Sequence, residues 1–138
     1  MNGRYLLDTN AVSDLVRNPH GQVNRRIAEL GRTHVCTSII VAAELRFGAA
    51  RRRSRRLSAQ LETVLRHLDI VPFEAPADRI YGDLRASLER VGRLIGGNDM
   101  LIGAHALALG CTLVTANERE FARVQALNIE NWLHPLQN

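Results

Sequence analysis

The sequence predicts an α/β domain in which a mainly parallel sheet is covered by helices on both faces, a three-layer α/β/α sandwich. Short apolar stretches rich in β-branched residues alternate along the chain with longer stretches of helical spacing, which is typical of this class. A length of 138 residues fits one domain, and 46% hydrophobic residues can form its core without disulfides. We therefore expect a single domain over residues 1–138.

The first third of the chain is predicted to form a strand, two helices and a second strand. Tyr5–Leu7 is apolar and is followed by three polar residues, as expected of a short strand that ends in a turn. Apolar residues recur at helical spacing over Ala11–Val16 and again over Val23–Leu30. His34–Thr37 has the composition of the second strand.

The middle of the chain is predicted to form two helices, a strand and a long helix. Ser38 is a suitable N-cap for a helix that runs to about Arg52. Helical spacing continues over Leu57–Leu68, where the apolar residues share one face. Ile70–Phe73 indicates a third strand ended by nearby prolines, and Pro76–Val91 is a long amphipathic helix.

The last third begins with a predicted flexible turn at the glycine pair 96–97. Asp99–Leu109 indicates a short apolar helix that Gly110 closes. Thr112–Thr115 is the fourth predicted strand, and Ile129–Trp132 is a fifth. Because ligands bind at the carboxyl ends of parallel strands, the polar residues that follow each strand should collect at one edge of the sheet.

The charge distribution favours an anionic partner such as nucleic acid. The net charge is +4, and all 18 basic residues are arginine, whose planar fork pairs bidentately with phosphate. Five arginines lie within residues 51–56, which we call the arginine segment. This segment is either a solvated helix end or a patch that contacts phosphate. The absence of lysine excludes a Gly-rich triphosphate-binding loop, which needs that residue.

The cysteine content and the N-terminal segment predict a cytoplasmic protein. Cys36 and Cys111 each lie in an apolar stretch, so two buried thiols are expected rather than a disulfide or a metal pair. No run of eighteen apolar residues is present, so no membrane span is predicted. Asp8 precedes any hydrophobic region, which argues against a signal peptide.

Three carboxylates lie at positions that favour a functional site, although each also has a structural explanation. Asp8 follows the first strand and is equally suited to cap the next helix. The residues three and four positions from Glu44 are apolar or small, so we expect Glu44 to be buried and paired with an arginine or a divalent cation. Asp99 is also a common type of helix-opening residue. The small Gly103 and Ala106 would leave room beside it for a ligand or a partner backbone.

A fourth acid, Glu120, follows the fourth strand, and Phe121 is expected to anchor its loop in the core. Acids packed this closely raise one another's pKa, and Mg²⁺ or Mn²⁺, which prefer oxygen ligands, would relieve the repulsion. Such a site suits phosphodiester hydrolysis. The five histidines lack zinc spacing, and His105 is predicted to be a core or interface residue rather than a catalytic one.

Four segments of the chain match one set of known motifs, in the same order and over nearly its whole length. They are Leu6-Leu7-Asp8-Thr9-Asn10, TSIIVAAEL at 37–45, IGGNDMLIGAHA at 95–106 and LVTANEREF at 113–121. Together they resemble the motifs of PIN-domain nucleases. More narrowly, they are similar to those of the VapC ribonuclease toxins of bacterial toxin–antitoxin pairs.

The resemblance implies an endoribonuclease toxin that uses Mg²⁺ or Mn²⁺, forms a homodimer and is neutralised by a cognate antitoxin. By this resemblance, Asp8, Asp99 and Glu120 would bind the metal, and Glu44 would be the fourth catalytic acid. Thr9 and Thr115 would orient the site. The family has an acid or an amide at position 117 and an acid at position 120. Glu120 is therefore favoured as the acid and Asn117 as a polar support, although the choice between them as the fourth site residue stays open.

The resemblance also bears on the RNA substrate. The Glu-Phe ending of the fourth segment is closest to the subgroup that cuts the anticodon loop of initiator tRNA. The arginines that we expect to contact RNA are Arg46, Arg51, Arg52 and Arg53.

Two other functions remain as alternatives. The same fold with poor metal affinity would be a non-catalytic module that binds RNA or protein. A phosphoryl-accepting regulatory domain also clusters acids at strand ends, but such domains generally need a lysine at the site, and this chain has none.

Overall fold

The computed structural model describes residues 3–133, and within them it contains one five-stranded sheet whose paired strands are all parallel. The strands are β1 (Tyr5–Leu7), β2 (Val35–Ser38), β3 (Asp69–Val71), β4 (Thr112–Val114) and β5 (Ile129–Glu130). Their order in the sheet is β3-β2-β1-β4-β5. The predicted α/β class is therefore confirmed, and the sheet is parallel throughout.

The helices of the described residues connect these strands. They are α1 (Thr9–Arg17), α2 (Gln22–Leu30), α3 (Ile39–Arg52), α4 (Arg55–Arg66), α5 (Ala77–Arg90), α6 (Gly97–Leu109) and α7 (Glu118–Phe121). From β1 to β3 the chain adds strands on one side of β1, and it then crosses to the other side for β4 and β5. Because crossovers between parallel strands are right-handed, α1 to α4 cover one face of the sheet and α5 to α7 cover the other. No helix in residues 3–133 is long and apolar enough to cross a membrane.

Local chemistry explains where the predicted elements begin and end. The Ser38 hydroxyl accepts a hydrogen bond from the N–H of Ile40 and caps α3, as expected. Gly110 ends α6 with a φ of 67°, which glycine adopts at little cost. The third strand ends at Val71, earlier than predicted, because Pro72 has no N–H to donate to a sheet. Residue 97, expected in a turn, is the first residue of α6.

The core lies around the central strand. Leu6 and Leu7 of β1 are fully buried, as is Leu113 of the neighbouring β4. Cys36 and Cys111 are buried free thiols whose Sγ atoms lie 4.0 Å apart, which confirms their predicted state.

Candidate active site

Asp8 lies at the carboxyl end of β1, the central strand of the sheet. It is 3% exposed, and its Oδ1 accepts a hydrogen bond of 3.1 Å from the N–H of Ala11, so it caps α1. Burial raises the pKa of Asp8 to about 6, although hydrogen bonds from Thr115 and from the Ala11 N–H act in the opposite direction. Asp8 therefore caps α1, as one of its two predicted roles required. The same carboxylate also has a raised pKa and lies at the carboxyl edge of the sheet.

Glu44 is half-buried, which corrects the prediction that its helix face is covered. Phe47, three residues further along α3, is 64% exposed, so part of this helix face is open to solvent. Glu44 instead faces α1 and α6. The Thr9 hydroxyl donates a 2.7 Å hydrogen bond to its Oε1, and the Asn98 amide donates one of 2.9 Å to its Oε2. Its described side-chain partners are thus a hydroxyl and an amide, and no arginine, one of its two expected partners, is among them.

Asp99 and Glu120 are joined through the amide group of Asn117. This amide donates to Oδ2 of Asp99 at 3.4 Å and to Oε2 of Glu120 at 3.1 Å. Burial, a hydrogen bond with Glu120 and the negative charges of Glu120, Glu44 and Asp8 raise the pKa of Asp99 to about 7. All four predicted acids therefore act on one another at the carboxyl edge of the sheet.

The loop that carries Glu120 is held by packing and by backbone hydrogen bonds. Glu120 belongs to the one-turn helix α7, and the next residue, Phe121, is fully buried as predicted. A Cβ on Gly103 would lie 3.7 Å from the Phe121 ring, so this ring fills the space that we had expected to hold a ligand or a partner backbone. The Thr115 hydroxyl accepts from the N–H of Asn117 at 2.8 Å and fixes the turn after β4.

The donor set fits a hard divalent cation. Residues 3–133 contain no group of three His, Cys, Asp or Glu side chains at metal-ligand spacing. The groups present are carboxylates, hydroxyls and amides, which are the oxygen ligands that Mg²⁺ and Mn²⁺ prefer. Burial is the largest cause of the raised pKa of Asp99, and the charges of the other acids add to it; a cation between the acids would offset both effects.

Of the four arginines predicted to contact RNA, one is paired with a carboxylate and three are exposed at the end of a helix. Arg46 pairs bidentately with Glu62 at 2.9 and 3.0 Å, so its guanidinium is already engaged by a carboxylate. The arginines at 51, 52 and 53 are exposed at the end of α3. At 1.5 Å per residue they lie about 10–14 Å from Glu44 along the helix axis. They are therefore within reach of an RNA held at the site, but they are too far away to touch the same phosphate.

Two contacts were not predicted. Asn98 directly precedes Asp99, and its position in the third segment was the only signal of its contact with Glu44. His105 is 2% exposed, and its Nδ1 lies 2.8 Å from the hydroxyl of Ser38. Burial lowers the pKa of His105, so it is a neutral core histidine, as expected, and it connects α6 with the cap of α3.

Comparisons with known proteins identify relatives over nearly the full length. Residues 5–127 match the PIN domain family. The chain is 38% identical over 130 residues to ribonuclease VapC2 of Rickettsia felis, which covers 93% of this chain and 97% of that protein. It is 34% identical over 130 residues to the tRNA(fMet)-specific endonuclease VapC of Shigella flexneri, which covers 94% of this chain and 98% of the relative.

Solved structures give the same result. The crystal structure of VapBC2 from Rickettsia felis bound to a promoter DNA fragment matches with a TM-score of 0.82 at 38% identity, over 93% of this chain and 98% of that one. The DNA-bound VapBC of Salmonella typhimurium matches with a TM-score of 0.84 at 30% identity, over 95% and 99% of the two chains.

Proposed function

The chain belongs to the PIN domain family, and we propose that it is a metal-dependent endoribonuclease toxin of the VapC type. The observation that carries this proposal is the convergence of four acids from distant parts of the sequence. The charges of Asp8, Glu44 and Glu120 all raise the pKa of Asp99. A fold that only binds RNA has no need to bring four negative charges together, so this convergence favours catalysis over the non-catalytic binding module.

Asp8, Asp99 and Glu120 would hold Mg²⁺ or Mn²⁺, which when bound lowers the pKa of water and neutralises charge on the phosphate. Glu44 retains a free lone pair on each carboxylate oxygen beyond its two hydrogen bonds, so it can accept the proton of the attacking water. Asn117 holds Asp99 and Glu120 at a fixed separation. The products are a 3′-hydroxyl and a 5′-phosphate.

The substrate that we propose is a structured RNA, and an initiator tRNA cut in its anticodon loop is the first candidate. The Shigella relative, whose name carries that specificity, supports this choice. The exposed arginine segment would bind the RNA backbone several nucleotides from the cut. Because such RNA is cytoplasmic, we expect the protein to act there.

We also propose a cognate antitoxin partner and a homodimer. The similar structures from Rickettsia and Salmonella are complexes of a toxin with its antitoxin, which supports the first point. The uncovered apolar side chain of Phe47 beside the site supports a second protein surface in this region.

The test is cleavage of total cellular RNA by the purified, antitoxin-free protein with Mg²⁺, with Mn²⁺ and with a chelator. Discrete fragments that require metal and disappear in Asp99→Asn are expected. Asp83→Asn, which removes an exposed acid of α5, is the matched control and should cleave like the unmodified chain. RNA binding without cleavage by folded protein at every metal concentration would instead support the binding module.

A further inference from the structure

Glu44 is held by two residues that each adjoin another acid of the site. Thr9 follows Asp8 directly in the chain, and Asn98 precedes Asp99. The Thr9 hydroxyl donates to Oε1 of Glu44 at 2.7 Å, and the Asn98 amide donates to Oε2 at 2.9 Å. One carboxylate therefore connects the beginnings of α1 and α6 with the middle of α3.

The two hydrogen bonds differ in their surroundings and in how easily they can be replaced. Thr9 is half-buried beside the central strand, whereas Asn98 is exposed at the start of α6. Water can therefore compete with the Asn98 amide for Oε2 of Glu44. The amide orients this oxygen only while its N–H group points at Glu44. A hydrogen bond to a charged acceptor is stronger than one between neutral groups, so this contact can hold the orientation of the Glu44 carboxylate.

We infer that Asn98 is a positioning residue for the RNA cleavage proposed above, which orients Glu44 for proton transfer and does not itself bind substrate or metal. With both oxygens of Glu44 oriented by donors, the cation is left to Asp8, Asp99 and Glu120. Loss of the amide leaves Glu44 present but free to rotate. The expected consequence is a lower rate with little change in RNA or metal affinity.

The first experiment examines the contact directly in metal-free protein by ¹H–¹⁵N NMR of the side-chain amides. The Asn98 resonance is identified by its loss in Asn98→Ala. It should shift in Glu44→Gln, which removes the charge of its acceptor, while the amide of Asn24, an exposed asparagine of α2, should not move. An Asn98 resonance that is unchanged in Glu44→Gln would overturn the inference, whether or not the protein cleaves RNA.

The second experiment separates kcat from KM. Asn98→Ala should lower kcat about 10- to 100-fold, the usual effect of removing a group that orients a site residue. KM for RNA and the Kd of Mn²⁺ measured by calorimetry should change less than about threefold. Asn98→Gln retains an amide donor and should recover part of the lost kcat, and Asn24→Ala should behave like the unmodified chain.

The outcomes separate the two proposals. No cleavage by the unmodified protein would contradict the proposed function, and the NMR result would still decide the contact. Cleavage by Asn98→Ala at the unmodified kcat would overturn the positioning role. A loss of Mn²⁺ binding in Asn98→Ala would also overturn it, because Asn98 would then belong to the metal site. Circular dichroism melting of each variant shows whether it is folded.

Discussion

Removing the charge of Asp8 should stabilise the metal-free protein. Burial raises the pKa of this carboxyl from 3.8 to about 6. Each pKa unit corresponds to about 1.4 kcal/mol, so ionising Asp8 in the folded chain costs about 3 kcal/mol relative to the unfolded chain. Asparagine caps helices as well as aspartate does, so Asp8→Asn should retain the hydrogen bond from the Ala11 N–H.

The pH dependence gives the sign of the effect. Between pH 3.8 and about 6 the folded state binds more protons than the unfolded state at Asp8, so the free energy of unfolding falls as the pH rises. Asp8→Asn removes this loss. The gain in the free energy of unfolding should approach about 3 kcal/mol at pH 8 and should be about half as large at pH 5. In a chain of this size, 3 kcal/mol raises Tm by about 10 °C.

The assay is urea unfolding of chelator-treated protein at pH 5 and pH 8. Asp83→Asn, on the exposed surface of α5, is the control and should change the free energy of unfolding by less than about 0.5 kcal/mol. Asp8→Ala should gain about 1 kcal/mol less than Asp8→Asn, because it also removes the cap. An Asp8→Asn protein that is no more stable than the unmodified chain at pH 8 would refute the claim that burying the Asp8 charge destabilises the fold.

Three further changes test other parts of the structure. Ser38→Ala leaves Nδ1 of buried His105 without its partner and also removes the cap of α3, so urea unfolding should show a loss of about 1–3 kcal/mol; a change below about 0.5 kcal/mol would mean that neither contact contributes to stability. Phe121→Ala empties the space over Gly103 and should lower the free energy of unfolding by about 3–5 kcal/mol in the same assay. A loss below about 1 kcal/mol would contradict this packing. Replacing the first three arginines of the arginine segment by alanine should reduce the slope of log K for RNA against log salt by about 2, and an unchanged slope would exclude them from the interface.

Much of the fold was predictable because it depends on local patterns. Ser38 and Gly110 mark helix ends through side-chain capping and a left-handed backbone, both of which are properties of single residues. The parallel sheet followed from the alternation of strands and helices, and its carboxyl edge carries Asp8 after β1 and Asn117 and Glu120 after β4, as expected.

The errors concern properties that depend on the tertiary neighbours of a residue. Apolar residues around Glu44 predicted burial, but a pattern along one helix cannot show whether another element covers it, and Phe47 is exposed. The sequence also did not show that Glu62, sixteen residues later, lies opposite Arg46 on α4, whereas the contact of Arg46 with RNA stays a prediction. Asn98 was overlooked because an exposed amide before a helix-opening acid has no distinctive pattern.

The contact between Tyr5 and Trp132, whose ring centroids lie 5.3 Å apart, joins the first strand to nearly the last described residue. β1 also lies between β2 and β4, so the centre of the sheet stays open until residues 112–114 have been synthesised. A ribosome that stops anywhere before Glu120 therefore releases a chain without its fourth acid. We therefore expect a chain truncated before Glu120 to lack nuclease activity, because Asp99 then loses the acid that Asn117 joins to it.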